Sequence, residues 1–356
     1  AKFALFVSFF PQLIQGPIAR FDQLESQLVT PHRFDLDGIE RGLLLMLWGW
    51  FKKKVIADRA LSLVEAVFGS QSAYGGAVIV VGVLFYSLQQ YADFSGGIDL
   101  VTGIAQLFGI QLAPNFKRPY FSVSLGDFWR RWHISLGAWM RDYVFYPFAL
   151  TRPVSRMSKA LKKKAGTHIA RALPAALGNI LVFLLVGVWH GAQMNYVLWG
   201  LYNGVILAFP ALVEPVYKRM NDRLPRLTAS GGFHVFRILR TFLVVNIGWY
   251  FDRCVRVSDA FAMLHKTFFA FNARQLFDGT LDTLGLAAKD YRILLVATII
   301  LFVVSLMQER GVKIRDFVLS RPLALRWAVL YAFIFFVLAT FGGSNVAASG
   351  FMYAVF

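Results

Sequence analysis

The chain has 356 residues, of which 57% are hydrophobic and only 16% are charged. Soluble domains are about half apolar and a quarter charged, so this composition excludes a water-soluble globule and an intrinsically disordered chain. The net charge of +17, from 37 basic and 20 acidic residues, does not indicate nucleic-acid binding in so apolar a chain. Clustered Lys and Arg are more typical of cytoplasmic loops that face anionic lipid. Cys254 is the only cysteine, so no disulfide scaffold is expected.

The printed sequence opens at Ala1 and almost at once enters the uncharged stretch 3–19. No basic n-region and no cleavage site precede this stretch, so it does not resemble a signal peptide. We expect the chain to be part of a larger membrane protein.

Uncharged runs of about 17 to 25 residues are long enough to cross the hydrocarbon core of a bilayer. Such runs predict spans at residues 66–92, 172–189, 195–213 and from Trp327 into the C-terminal tail. Residues 233–251 and 293–308 predict two further spans, the first with two arginines that can snorkel to the interface. Residues 42–51 are too short to span and are followed by three lysines, which is typical of an interfacial or re-entrant helix.

Loop charges predict the orientation of these spans, because short loops rich in Lys and Arg stay cytoplasmic. Residues 152–171 contain seven basic residues and no acidic residue, which places this loop inside the cell. Counting spans from there places residues 218–226 inside, the acidic stretch 259–290 outside and residues 310–321 inside again.

The stretch 93–142 is neither a clean span nor a soluble domain. Charged residues alternate with Trp and Phe, and the stretch is interrupted by Gly96, Gly97, Gly103, Gly109, Pro114 and Pro119. Irregular backbone at membrane depth is tolerated only where it is buried in protein or lines a wet cavity. The sequence therefore predicts a re-entrant segment around a polar site. No internal repeat and no separable soluble domain stand out, so we predict one polytopic helical domain over residues 1–356.

Two histidines are candidates for chemistry. His190 ends an apolar run between Gly187 and Gly191, and His133 lies in an aromatic and basic segment. A neutral imidazole is a natural general base for deprotonating a hydroxyl that attacks an acyl group. The alternatives at this point are an interior histidine bonded to a neighbouring helix for His190 and an interfacial belt for His133.

Other catalytic patterns do not occur in the sequence. It has no Gly-x-Ser-x-Gly elbow, phosphate loop, dinucleotide fingerprint or His-Glu-x-x-His helix. The six histidines and one cysteine have no ligand spacing, so no metal site is predicted. The residues alone are thus compatible with acyl transfer but do not establish it.

A series of motifs carries a resemblance to a known family. The motifs are FPQLIQGPIAR at 10–20, GWFKKKVIAD at 49–58, YADFSG at 91–96, PNF at 114–116, FWRRWHISL at 128–136, WMRDY at 139–143, WHG at 189–191, LWG at 198–200 and FMYAVF at 351–356. In this order they resemble the bacterial alginate-acetylation and teichoic-acid D-alanylation branch of the membrane-bound O-acyltransferases. The resemblance covers nearly the whole chain, although the family's usual first few helices have no counterpart.

The resemblance implies an all-α polytopic membrane protein, a helical bundle with re-entrant and interfacial helices around a central funnel. It assigns the general base to His190 and a second site histidine to His133. Residues expected to line the passage and bind substrate are Asp93, Asn115, Arg130, Arg131, Trp132 and Trp189. The alternative for the two arginines is that they anchor the bundle at the membrane interface.

The resemblance also implies that an acyl donor arrives from the cytoplasm and a hydroxyl acceptor from outside. We favour acetyl transfer to an exported polysaccharide, with acetyl-CoA as a substrate and no bound cofactor. The alternative is D-alanyl transfer from a phosphopantetheine carrier protein to teichoic acid. The expected location is the bacterial cytoplasmic membrane, with a membrane-anchored, extracellular SGNH or serine hydrolase-like partner.

Two non-enzymatic functions are alternatives. A transporter would predict two similar halves with paired broken spans, and the sequence shows no such halves. A scaffold that only docks an extracellular partner remains open.

Overall fold

The computed structural model describes residues 1–13 and 15–341. Ile14, which belongs to the first motif, and the aromatic ending 351–356 lie outside the described residues. The described residues form helices and no β-strand, which confirms the all-α fold.

The helices in the first part of the chain are α1 Lys2–Ser8, α2 Phe21–Val29, α3 Leu36–Trp50, α4 Asp58–Gly69, α5 Gly76–Leu107, α6 Leu125–Arg131, α7 Ile134–Met140, α8 Tyr146–Ala149 and α9 Arg152–His190. They continue with α10 Met194–Leu212, α11 Glu214–Arg223, α12 Pro225–Thr228, α13 Gly231–Arg253, α14 Val257–Phe269, α15 Ala288–Glu309, α16 Ile314–Leu319 and α17 Leu323–Thr340. Two π-helical segments, Phe51–Ala57 and Arg141–Phe145, extend α3 and α7.

Five of the described helices are long and apolar enough to cross a membrane, namely α5, α9, α10, α15 and α17. The predicted spans at residues 172–189, 195–213 and 293–308 fall on α9, α10 and α15 and are confirmed as apolar helices. The described part of the C-terminal span is α17. Residues 233–251 form most of α13, which is helical but is not among the five, so its crossing stays a prediction.

The predicted span over residues 66–92 is wrong as a single helix. Helix α4 ends at Gly69, and α5 begins at Gly76 after a short turn. The Lys266 ammonium group donates hydrogen bonds to three carbonyl oxygens of this turn, those of Gln71, Ser72 and Tyr74, at 2.9, 2.8 and 3.0 Å. These bonds satisfy backbone acceptors that a continuous helix would have used internally.

Irregular backbone also begins later than predicted, because α5 continues unbroken through Gly96 and Gly103 to Leu107. The two glycines are helix contacts rather than breaks. A Cβ atom at Gly96 would lie 2.9 Å from the carbonyl oxygen of Gly49, and one at Gly103 would be similarly close to the carbonyl oxygen of Gly42. Small residues therefore let α3 and α5 approach backbone to backbone, as in many membrane helix pairs.

The interfacial or re-entrant helix predicted at residues 42–51 is part of a longer helix, and its placement in the membrane stays a prediction. These residues belong to α3, which continues into the π-helical segment that carries the three lysines. Lys52 and Lys53 are buried instead of reaching the membrane surface. Lys52 pairs with Asp99 at 2.7 Å and Lys53 with Asp58 at 2.9 Å, so local carboxylates replace the water that an interface would supply.

Backbone contacts divide the described chain into two compact units, one formed by residues 1–115 together with the described residues from Lys266 onward, and one formed by residues 116–265. The first unit contains α1 to α5 and α15 to α17. The second contains α6 to α13 and most of α14. The expectation of a single domain over residues 1–356 stays a prediction.

In the second unit the stretch 152–171, expected as a basic loop, is mostly helical and forms the first part of α9. Gly166 interrupts that helix with φ of 84° and ψ of 173°, a conformation that glycine adopts without steric cost. The apolar part of α9 then packs antiparallel on α10. Gly187 faces the carbonyl oxygen of Tyr196, and Gly200 faces that of Phe183.

Candidate active site

His190 is the last residue of α9 and is half-buried. Three aromatic rings lie around its imidazole, two brought by the packing of α10 on α9 and one from Trp189, the preceding residue of α9. The ring centroids of Trp189, Trp199 and Tyr196 lie 4.9, 5.2 and 6.1 Å from that of His190. Apolar rings on these sides reduce the water around the imidazole, which strengthens any electrostatic interaction made there.

His133 is the residue before α7 and is buried, with 7% of its surface exposed. Its backbone has φ of 48°, in the left-handed region that residues other than glycine rarely adopt. A residue held there at some cost requires surrounding structure that fixes it, and such positions cluster at functional sites.

The structure that fixes His133 is a pairing of two extended stretches. Phe116 and Trp132 form an isolated antiparallel bridge, and the Lys117 amide donates a hydrogen bond of 2.9 Å to the carbonyl oxygen of Arg131. The Trp132 ring stacks on Phe128, with centroids 5.4 Å apart. The bridge and the ring stack immediately precede His133 and hold its backbone in place.

His133 and His190 lie close to the same tryptophan. The Trp189 ring centroid is 6.3 Å from that of His133 and 4.9 Å from that of His190. Burial, together with a smaller effect of the nearby His190, lowers the pKa of His133 to about 3. His133 is therefore neutral near pH 7 and can accept or donate a hydrogen bond without carrying charge.

The two arginines of the predicted passage lie in different environments. The Arg131 side chain is 20% exposed, and its Nε lies 3.3 Å from Asp127. The Arg130 side chain is 73% exposed and lies 3.5 Å from the same carboxylate. This exposure of Arg130 fits the alternative of an interfacial anchor better than a buried lining.

Asp93 and Asn115 belong to the first unit, whereas both histidines belong to the second. Asp93 and Asn115 are both buried, at 2% and 1% exposure. Asp93 forms an ion pair with Lys53, which also lies 2.9 Å from Asp58. The carboxylate of Asp93 is thus already neutralised by a buried lysine.

The sequence did not single out Tyr196, Trp129 or Asn203 as site residues. Tyr196 is near His190, and the Trp129 indole donates a hydrogen bond of 3.2 Å to Asn203 on α10. Trp199 and Asn203 are four residues apart on α10, so they lie on the same helix face. This spacing, close in sequence to His190, is the signal that could have identified Asn203 as a site residue. Within residues 1–13 and 15–341, no group of three or more His, Cys, Asp or Glu side chains could hold a metal ion.

These features define an all-α membrane protein whose second unit holds two neighbouring histidines in an aromatic environment. Residues 1–245 match the signature of the family described as MBOAT, membrane-bound O-acyltransferase. The chain belongs to this family, and the resemblance inferred from its motifs is confirmed.

Individual relatives have related names. The chain is 33% identical over 264 residues to a peptidoglycan O-acetyltransferase of Helicobacter pylori, which covers 74% of this chain and 45% of that protein. It is 35% identical over 275 residues to a probable alginate O-acetylase AlgI of Pseudomonas syringae pv. tomato, an alignment that covers 77% of this chain and 47% of that protein. It is 27% identical over 251 residues to a teichoic acid D-alanyltransferase of Bacillus subtilis, an alignment that covers 69% of this chain and 59% of that protein. The chain spans about half the length of the curated relatives that it matches.

Proposed function

We propose that the protein containing this chain is an O-acyltransferase of a bacterial cytoplasmic membrane. It transfers an acetyl group from a cytoplasmic thioester to hydroxyl groups of an exported polysaccharide, with His190 as the general base. The observation that carries the proposal is the position of His190, half-buried among three aromatic rings and beside the neutral His133.

In the proposed reaction a nitrogen of His190 takes the proton of the acceptor hydroxyl as its oxygen attacks the thioester carbonyl carbon. A new C–O bond forms, the C–S bond breaks, and the proton passes from the imidazolium to the departing thiolate. The ester and the free thiol are the products, and no net proton is consumed.

His133 has a separate part in this proposal. Because it is buried and neutral, it can hold the carbonyl of the thioester or orient the ring of His190 without adding a charge. Its fixed backbone suits either part, since preorganised groups need no rearrangement as the reaction proceeds.

The choice of acetyl is supported by the relatives. Proteins named as O-acetyl transferring enzymes match at 33% and 35% identity, and the named D-alanyl transferring enzyme matches at 27%. The donor in this proposal is acetyl-CoA or an acyl-phosphopantetheine carrier protein, and the expected extracellular partner is a membrane-anchored SGNH hydrolase-like protein. D-alanyl transfer to teichoic acid is the competing outcome.

The proposed path moves only the acyl group through the membrane. Moving a multiply charged nucleotide or carrier protein through hydrocarbon would be prohibitively costly, whereas a short acyl group on a thiol arm needs only a narrow polar slot.

The proposal can be tested with the full-length protein in sealed vesicles of known orientation. Labelled acetyl-CoA or alanylated carrier protein is supplied on one side, and the polysaccharide or teichoic-acid acceptor on the other. Replacing His190 with Ala is expected to reduce transfer by about a hundredfold to ten-thousandfold, because a positioned base contributes that much. The matched control is His234→Ala, at an exposed position in the first turn of α13.

Wild-type-like transfer by the His190→Ala protein would refute the assigned base. Label accepted only from the alanylated carrier would replace acetyl by D-alanyl. Transfer that requires donor and acceptor on the same side would refute the path through the membrane.

A further inference from the structure

A cavity of about 620 Å³ is lined by residues of the first unit, whereas His133 and His190 belong to the second unit. Residues 32–35, 37–39 and 41, the end of α5 with the turn that follows it, and Arg315 line this cavity, and Asp35 and Asp37 are its acidic lining residues. Its volume falls within the range of about 300 to 1,000 Å³ that is usual for small-molecule sites. We call it the arginine pocket, because Arg33, Arg41 and Arg315 all contribute to its wall.

The wall of the arginine pocket is tied together by specific contacts. The Gln27 amide donates a hydrogen bond of 3.3 Å to the carbonyl oxygen of Gln111 and accepts one of 2.9 Å from its backbone amide. The His32 Nε2 lies 2.7 Å from the carbonyl oxygen of Gln27. Gly109 has φ of 73°, and a Cβ atom there would lie 2.7 Å from the His32 ring. The pocket is therefore a formed feature of the fold.

The cationic groups of the pocket differ in their partners. Arg41 is neutralised twice, by Asp37 at 2.9 Å and by Asp316. Arg315 is half-buried, and its Nη1 donates only to neutral oxygens, the Arg41 carbonyl at 3.2 Å and Gln106 Oε1 at 2.9 Å. Within the described part of the chain neither Arg315 nor Arg33 forms an ion pair with a carboxylate, although Asp99 and Asp316 are near enough to Arg315 to favour its charged form.

The partly buried charge of Arg315 carries a cost in this position, which the charges of Asp99 and Asp316 offset only in part. Burial lowers the pKa of its guanidinium group, because a partly desolvated cation is less stable than one in water. A guanidinium group presents parallel N–H donors that match a phosphate group, and Nε and Nη2 of Arg315 are not used by its two hydrogen bonds. An anion with more than one charged oxygen would satisfy these donors.

We propose that the arginine pocket binds a phosphate group, with Arg315 and Arg33 as its ligands. Two sources share this chemistry, namely the phosphates of a soluble thioester donor such as coenzyme A and the headgroup of an anionic phospholipid. The first source rests on the proposed function, whereas the affinity for phosphate itself does not.

The position of the pocket along α5 agrees with either source. The Gly76 end of α5 is bonded to the segment predicted to lie outside the cell, through a hydrogen bond of 2.9 Å from the Gly76 amide to the Ala270 carbonyl oxygen. The opposite end of the same helix carries Gln106 and meets Arg315, in the stretch predicted to be cytoplasmic. Donor phosphates and the anionic lipid of the inner leaflet are both found on that side.

The test uses the full-length protein in nanodiscs and two probes, coenzyme A and phosphatidylglycerol. The affinity for coenzyme A is measured in phosphatidylcholine discs, and retained phosphatidylglycerol is counted by native mass spectrometry in mixed discs. We expect Arg315→Gln to weaken binding of one probe by about tenfold to a hundredfold, the usual effect of losing a charge-assisted hydrogen bond. Arg33→Gln should act in the same direction, and its exposed position keeps folding intact.

Arg310→Gln is the matched control, because Arg310 is exposed on the same connection but does not line the pocket. Weakened coenzyme A binding identifies the soluble donor, and weakened phosphatidylglycerol retention identifies the lipid. Equal binding by wild type, Arg315→Gln and Arg33→Gln, or no binding of either probe, would overturn the proposal. The His190→Ala protein should lose transfer and keep probe binding, so failure of the proposed function is separable from failure of the pocket.

Discussion

Removing the carboxylate of Asp93 should act through stability, because Asp93 is the buried partner of a buried lysine. Side-chain exposure is 2% for Lys53 and 3% for Asp93. Breaking a buried ion pair by removing one partner typically costs about 3 to 5 kcal/mol, since the other charge is left without compensation. Lys53 keeps a second carboxylate, Asp58, at 2.9 Å. We therefore expect Asp93→Asn to cost about 3 kcal/mol, at the lower end of that range.

The same reasoning predicts that the double variant Lys53→Met/Asp93→Asn is more stable than Asp93→Asn alone. Replacing both members of a buried pair by neutral groups of similar size is often close to neutral. The measurement is unfolding in mixed detergent micelles for wild type, both single variants and the double variant, combined as a double-mutant cycle. A coupling free energy near zero would refute the assigned ion pair.

Activity of these variants separates the two interpretations of Asp93. If Asp93 only neutralises Lys53, the refolded double variant should recover transfer together with stability. If Asp93 contacts substrate, the double variant should be stable and remain inactive. Full stability of the Asp93→Asn protein would show that the charge of Lys53 is balanced without it.

Three further predictions concern packing, protonation and topology. Gly49→Ala should destabilise the protein by about 1 to 3 kcal/mol, because its Cβ atom would lie 2.6 Å from the Gly96 carbonyl oxygen in a tight helix pair. His133→Asn should make stability less sensitive to acid, because the folded protein holds the pKa of His133 near 3 while the unfolded chain titrates near 6.5. A single cysteine at Lys162 should resist impermeant thiol reagents in intact cells, because this basic stretch is predicted to be cytoplasmic.

Each of these predictions has its own control. Gly231→Ala adds a Cβ atom with no atom within 4 Å and should be nearly neutral, so equal losses at Gly49 and Gly231 would contradict the packing argument. The wild type should lose more stability than His133→Asn as pH falls from about 6.5 toward 3, since the unfolded state then takes up a proton that the folded state excludes. For the topology, both Lys162→Cys and Asp282→Cys are made in a Cys254→Ala background, and only Asp282→Cys should be labelled from outside. Labelling of Lys162→Cys but not of Asp282→Cys would invert the topology.

Hydropathy and length were sufficient to predict most of the apolar helices, because bilayer thickness fixes a minimum run of uncharged residues. The same measure failed at residues 66–92, where a short turn with externally bonded carbonyl groups divides two helices without adding charge to the sequence. A turn of this kind depends on Lys266, almost two hundred residues away in the sequence, and no local pattern contains that contact.

The lysines at 52–54 show a second limit of sequence interpretation. Three consecutive lysines favour a membrane surface when only local composition is considered. Lys52 pairs with the partly exposed Asp99 and Lys53 with the buried Asp93, both at least forty residues away, and the pairing depends on the close contact of α3 with α5. Glycines that predicted breaks are the residues that permit this contact.

The candidate site was predictable in part. His133 and His190 could be selected because few other residues could act as a base, and the structure brings both close to Trp189. The left-handed backbone of His133 could not be predicted, because the sequence around it contains no glycine or asparagine that would indicate such a conformation. It results from the bridge between Phe116 and Trp132.

The break at Gly166 has a mechanical consequence for α9. Gly166, with φ of 84° and ψ of 173°, is not helical, so the regular helix is interrupted there. Bending or twisting of one half of α9 is therefore not transmitted rigidly to the other half. The basic stretch before Gly166 therefore has a helix axis of its own. The tilt of the span that ends at His190 is therefore not fixed by the axis of the basic stretch, and the Ser158 hydroxyl, which donates a hydrogen bond of 2.7 Å to the Ala170 carbonyl oxygen, is a side-chain contact across the break.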